Sequence, residues 1–318
     1  MEPRQSRNLW ILNTSPTRDA LQLRGQCAVL RPRSCPSDHW SNHNSEKILN
    51  AMLREEINRA FLSRSFLFAV ALGLLSLAPG LADYMSGPPR DPEYLARLPP
   101  FYNNAYDAVI WAQSSLIGLI GPLIAVLPFA DSFAHDRVLG YLRFVLSRTT
   151  YRRYLSGKYV ASFLSGGLAV SLPMLLCFMF SVLILPRGLN LNPFEARVQP
   201  SEALGPFGAL YNSTPDLYIL SLIALSFLFG ATYAIFGLSL SALTDNRYIV
   251  LATPFVLYNV AHYGLSVLGI PAWSPLSTLV PHWLTNVTWL HVITNLGGVF
   301  LISTVLYFVM AHKVKSRI

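Results

Sequence analysis

Few side chains in this sequence combine in a way that could do chemistry, and the spacing of each group limits what that chemistry could be. The one Gly-Lys pair, Gly157-Lys158, has the makings of a phosphate cradle. However, Tyr159 follows it where Ser or Thr would hold magnesium, and Arg152 stands where a P-loop needs its first glycine. The chain is therefore expected to hold no nucleotide or cofactor itself and not to be an enzyme. Cys27, Cys35, His39 and His43 are zinc-ligand types, but the seven residues between the cysteines fit no common finger spacing. With Cys177 the only other cysteine, no disulfide framework is expected. His282 and His291 have no acid close by in sequence and make a poor metal site. Intramembrane hydrolysis would call for paired mid-span aspartates or an H-E-x-x-H helix, and neither occurs. Ser114, Ser115, Ser221, Ser226, Ser239 and Ser241 read as small residues that let helices approach closely. His262 is the one ionisable side chain well inside an apolar run, and a lone histidine there reads as a hydrogen-bonded packing residue.

The stretch that stands out is Asp131–Lys158. Asp131 or Ser132 can cap a helix. Ala134, Val138, Leu142 and Val145 or Leu146 then recur at helical spacing, with Arg137, Arg143, Arg148, Arg152, Arg153 and Lys158 along the rest. Gly140 and Gly157 read as breaks in the helix. A basic amphipathic element of this kind contacts lipid headgroups or a groove on another subunit, and composition does not choose between them.

The elements that position these residues follow from composition. Of the 318 residues 53% are apolar and 13% are charged, about half the charged fraction of a soluble domain. A bilayer core about 30 Å thick takes about 20 apolar residues per helix. Runs free of Asp, Glu, Lys and Arg cover Ser65–Ala82, Ala108–Ala130, Tyr159–Pro186, Leu217–Thr244 and Tyr248–His312. The last run is long enough for two spans. Its middle, Pro271–Trp289, has the proline and tryptophan content of an interface. The expected fold is all-α, a polytopic membrane protein with six transmembrane helices. Of the 24 Lys and Arg, 20 fall in alternate connections, which places both termini in the cytoplasm and explains the net charge of +8 without nucleic acid.

Residues 1–44 show no periodicity and read as a loosely ordered segment, without a signal peptide; residues 45–318 form the membrane domain. Met52 would also open a sensible membrane protein. From Ser45, a candidate N-cap, Ile48, Leu49, Met52, Leu53, Ile57, Ala60 and Phe61 share one face of a helix, with Lys47, Arg54, Glu55, Asn58 and Arg59 mainly off it. This is expected to be an interfacial helix lying on the bilayer or against a partner. Asp83, Asp107, Asp131, Asp216 and Asp245 all sit at span ends, so ion coupling at the midplane lacks its usual groups.

Residues Asp136, Gly140, Tyr141-Leu142, Leu146-Ser147-Arg148, Arg152-Arg153-Tyr154-Leu155 and Gly157-Lys158 together resemble the first cytoplasmic loop of type-2 ATP-binding-cassette (ABC) transporter permeases. His135-Asp136 replaces a frequent Glu of that family, and Thr149 a frequent Pro. The resemblance implies an exporter subunit of the cell membrane, with a cytoplasmic coupling helix inside 131–158. It also implies a cytoplasmic ATPase partner carrying ATP and magnesium, and a second permease subunit, identical or related. The coupling residues it implies are Asp136, Arg137, Gly140, Tyr141, Arg143, Arg148, Arg152, Arg153, Tyr154, Gly157 and Lys158. Two other readings stay open: a secondary carrier or channel that uses neutral groups and His262 without an ATPase, and a membrane scaffold or immunity factor that binds without transporting. The cargo is left open.

Overall fold

The computed structural model describes residues 52–87, 102–146, 150–189 and 204–315, and every regular element among them is helical. Residues 1–44, Ser45, Lys47, Ile48 and Leu49 lie outside the described residues, and so do Cys27, Cys35, His39 and His43. The order is α1 (residues 52–61), α2 (Arg64–Ser86), α3 (Ala105–Gln113), α4 (Ile117–Val126), α5 (Ser132–Val138), α6 (Tyr141–Leu146) and α7 (Tyr151–Ile184). There follow α8 (Gly208–Ser213), α9 (Pro215–Leu243), α10 (Arg247–Val267), three single 3-10 turns and α11 (Trp289–Lys315). Five of these, α2, α7, α9, α10 and α11, are long and apolar enough to cross a membrane. The chain is accordingly a membrane protein by composition and by the length of its helices.

Local chemistry sets the ends of these helices. Ser63 caps α2 by accepting the amide of Phe66 at 3.0 Å, and Asn104 caps α3 through the amides of Tyr106 and Asp107. Pro215 stands at the start of α9, where its missing N–H costs nothing. Asp131 occupies the N-cap of α5, but neither it nor Ser132 caps the helix through its side chain; the Asp131 carboxylate lies 3.4 Å from Arg247 instead. The expected cap is thus replaced by an ion pair between the start of α5 and the start of α10.

Helix α9 is central. Of its apolar window 61% is buried inside the bundle, against 17% for α10 and for α11. Its crossing with α7 rests on two glycines. A Cβ on Gly230 would strike the carbonyl oxygen of Gly166, and one on Gly166 would strike the Ala234 side chain and the Ala125 carbonyl. Backbones this close are the usual packing solution between apolar helices in lipid.

The run Ala108–Ala130, read from sequence as one span, is broken. Helices α3 and α4 meet at 73° across Ser114–Leu116. At the break the Ile110 carbonyl accepts both the backbone N–H of Ser114 at 3.1 Å and its hydroxyl at 3.0 Å, a back-bond that often accompanies a bend in a helix. Pro122, further along, lacks an N–H for the carbonyl of Gly118, and that carbonyl accepts the hydroxyl of Tyr258 at 2.7 Å instead. Tyr258 is fully buried, so Tyr258→Phe leaves the Gly118 carbonyl orphaned. The expected loss is about 1–3 kcal/mol, read by equilibrium unfolding in detergent micelles; an unchanged midpoint would mean that the hydroxyl is not what satisfies the break.

Pro271–Trp289 was read as interface. It contains the three proline-initiated turns, Pro271–Trp273, Pro275–Thr278 and Pro281–Trp283, and its middle enters the core, with Leu276, Leu279 and Val280 buried. Gln113 holds it there, donating from Nε2 to the Leu279 carbonyl at 2.8 Å. His262, read as a packing residue, bonds through Nδ1 to Ser274 Oγ at 2.8 Å.

Candidate functional site

Three elements meet at the end of the bundle that carries 131–158. The single amphipathic helix expected there is two short ones, α5 and α6, separated by Gly140 at φ +69°, a left-handed conformation that favours glycine. Gly140 is therefore a break, as read. Gly157 is not: α7 begins at Tyr151 and runs through it without interruption, and the Gly157 position faces Glu56. Arg152, Arg153, Tyr154, Gly157 and Lys158 thus belong to the first turns of a membrane-length helix and not to a loop.

At the junction of α1, α5 and α7 lies a buried ion cluster. Lys158 is fully buried. Its ammonium is 2.8 Å from Asp136 Oδ2 and 3.4 Å from Glu56 Oε2. Arg59 closes the group, 3.1 Å from Asp136 Oδ1 and 3.3 Å from Glu56 Oε1. Tyr154 donates its hydroxyl to Asp136 Oδ2 at 2.8 Å, and the Lys158 ammonium sits 4.9 Å from the Phe129 ring centroid and 5.3 Å from that of Tyr154. Two acids face two bases, so the cluster is neutral overall, which is how four charges survive among apolar side chains. Burial works to raise the Asp136 pKa, but Lys158 and Arg59 outweigh it and hold the carboxyl below its usual range. Burial likewise works to lower Arg59, and its bonds to Asp136 and Glu56 overturn that and raise it.

Glu56 is not among the residues expected from the sequence, yet its position carries a signal. It falls between Leu53, Ile57 and Ala60 on the apolar face of α1, where a carboxylate must find a cation.

The remaining predicted site residues divide by exposure. Arg137 is committed to the end of α9: it pairs with Asp245 at 2.5 Å and donates to the carbonyls of Ala242 and Ser241, where a cation complements the helix dipole. Tyr141 lies under the Arg59 guanidinium, 5.5 Å from ring centroid to cation. Arg152 is exposed and Arg153 half-buried, on the outside of α7. The side chain of Arg143, and Arg148 entirely, lie outside the described residues. Around Gly140 the turn presents Val138, Leu139 and Phe144, with 64%, 65% and 73% of their surface exposed. Four of the predicted residues (Asp136, Tyr154, Gly157 and Lys158) are therefore internal, and the outward surface is the apolar turn with Arg152 and Arg153 nearby in the chain. Compared with known proteins, the chain matches no family model and no curated sequence.

Proposed function

We propose that this chain is the membrane subunit of an ABC exporter of the type-2 permease kind, driven by ATP hydrolysed on a separate cytoplasmic subunit. In this reading the bent pair α3–α4 counts as one span, giving six, and both termini face the cytoplasm. The exposed turn Val138–Phe144 enters a groove on the ATPase, and the basic residues Arg148, Arg152 and Arg153 meet its acidic rim. The observation that carries the reading is the linkage behind that turn. Asp136, at its root, is bonded to Lys158 of α7 and to Arg59 of α1, so force applied to the turn reaches two further helices through ionic contacts rather than through a flexible loop. The exposed faces of α10 and α11, with Leu257, Val260, Leu301 and Val305, provide the surface for lipid and a second permease subunit.

The test is the variant Arg148→Ala/Arg152→Ala/Arg153→Ala. Removing these charges from the docking rim is expected to lower ATP hydrolysis stimulated by the chain, and ATP-driven transport, by roughly tenfold or more. Membrane insertion and thermal midpoint should stay those of the unaltered protein. Unchanged hydrolysis and transport would remove the docking role.

A further inference from the structure

Helix α1 meets the bundle with its apolar face. Ile57 and Ala60 pack on Phe129 and Ala161, and Phe61 joins the main core. Glu56, on the same face, pairs with Lys158, the residue just before the apolar run that opens at Tyr159. That pairing sets α1 level with the start of the run, which is the depth of the lipid headgroups in a chain whose long helices cross a bilayer.

The outward face of α1 is left open. Arg54, Asn58 and Leu62 recur four residues apart along one ridge, with Glu55 and Arg59 along the next, and together they line a groove of about 440 Å³. Arg54, Glu55 and Asn58 are exposed, and their side chains meet no hydrogen-bond or ion-pair partner among the described residues. Arg59 gives one N–H to Glu56 and one to Asp136, and its other N–H groups have no acceptor among the described residues. Leu62, at the end of the groove, is 82% exposed, and beyond it the first turns of α2 expose Leu67 and Phe68.

The charges on this face have both signs. Arg59 is already balanced inside the ion cluster, so the groove keeps one uncompensated base, Arg54, and one uncompensated acid, Glu55. A surface made for anionic lipid carries a surplus of bases, and here the carboxylate cancels it. Guanidinium and carboxamide donors suit a phosphodiester, and a carboxylate beside them suits an ammonium. An exposed leucine leading onto a membrane-length helix suits an acyl chain.

From this complementarity we propose that the outward face of α1 is a binding site for a zwitterionic glycerophospholipid with a primary ammonium, a phosphatidylethanolamine of the adjoining leaflet. The phosphodiester accepts from Arg54, Asn58 and Arg59, the ammonium donates to Glu55, and one acyl chain leaves over Leu62 towards Leu67 and Phe68. A choline headgroup keeps the charge but has no N–H for Glu55, and a glycerol headgroup brings no cation at all. The site calls for a bilayer and not for an ATPase, so its failure would leave the exporter reading standing, and the reverse holds too.

The test uses the full chain in mild detergent, with native mass spectrometry to measure bound lipid. The probes are dioleoyl phosphatidylethanolamine, phosphatidylcholine and phosphatidylglycerol, with glycerophosphoethanolamine as the same headgroup without chains. The ethanolamine lipid should bind about fivefold or more tightly than either other lipid, and roughly tenfold or more tightly than the chainless headgroup. Glu55→Gln should abolish the preference for ethanolamine over glycerol, and Arg54→Ala should weaken all three lipids by about fivefold. Both side chains are exposed, so the variants should keep the unfolding midpoint of the parent. Equal binding of the three lipids, or a preference for the glycerol lipid, would overturn the proposal. So would an ethanolamine preference that survives Glu55→Gln, or lipid affinity untouched by Arg54→Ala. Binding of the chainless headgroup as tightly as the lipid would overturn it too, by showing a site for a soluble phosphate ester.

Discussion

Lys158→Met is expected to cost the fold about 3–5 kcal/mol, the usual penalty for breaking a buried ion pair by removing one partner. Methionine matches the stem of lysine and fills its space, so loss of packing contributes little. What remains is electrostatic: Glu56 and Asp136, buried on different helices, are left with Arg59 as their only cation among the described residues. Arg59 is more than a third exposed along its side chain and is screened accordingly. The result should be visible as a lower midpoint of equilibrium unfolding in micelles and a reduced yield of folded protein. The triple variant Glu56→Gln/Asp136→Asn/Lys158→Met removes both buried acids along with the base, leaves Arg59, more than a third exposed, to be solvated, and should recover most of the loss, because a neutral hydrogen-bonded group carries no Born penalty. That recovery separates an ionic role from a merely steric one. In the exporter reading, the same triple variant should fold yet transmit less force from the turn. A Lys158→Met protein within about 0.5 kcal/mol of the parent, the range of ordinary surface changes, would show that the cluster does not hold α1, α5 and α7 together.

The second large effect is expected at the α7–α9 crossing. Gly230→Leu places a branched side chain where the Gly166 carbonyl and Val170 already stand. Overpacking commonly costs about 1–3 kcal/mol, and the upper end applies here, since the obstructing atom is backbone and cannot rotate away. Relief would require the two helices to separate, and α9 is the element on which the rest of the bundle packs. Gly230→Ala should give a graded, smaller loss. Indistinguishable unfolding midpoints for glycine, alanine and leucine would mean that the two backbones are not in close contact at this crossing.

Much of this architecture was legible because a membrane imposes a simple rule: long apolar runs become helices. The runs at Ser65–Ala82 and Leu217–Thr244 lie within α2 and almost within α9. Where the reading fell short, a local interaction outweighed the rule. Counting apolar residues from Tyr159 cut α7 short by eight positions, because hydrogen bonding carries a helix past its apolar portion, and this left Lys158 assigned to a loop. Ser114 lacks the prominence of Gly118, Gly121 or Pro122 as a helix breaker, yet the chain turns at Ser114–Leu116, where the Ile110 carbonyl takes both the backbone N–H and the hydroxyl of Ser114. Glu56 was readable in principle from its place on the apolar face of α1, but its partners stand at positions 136 and 158, and sequence periodicity does not show which helix ends converge. The basic character of 148–153 follows from composition, whereas the commitment of Arg137 to the end of α9 depends on tertiary geometry.

In the exporter reading proposed above, the chain draws its power from a separate motor held against Val138–Phe144. The most direct measurement is to isolate the full chain from its native membranes in mild detergent, determine which subunits accompany it and in what ratio, and assay ATP hydrolysis. The account predicts a P-loop ATPase in equal number with the chain, whose activity falls when Arg148, Arg152 and Arg153 are replaced. Isolation of the chain without any ATPase, in a form that accumulates a solute in vesicles under a pH or sodium gradient alone, would contradict it.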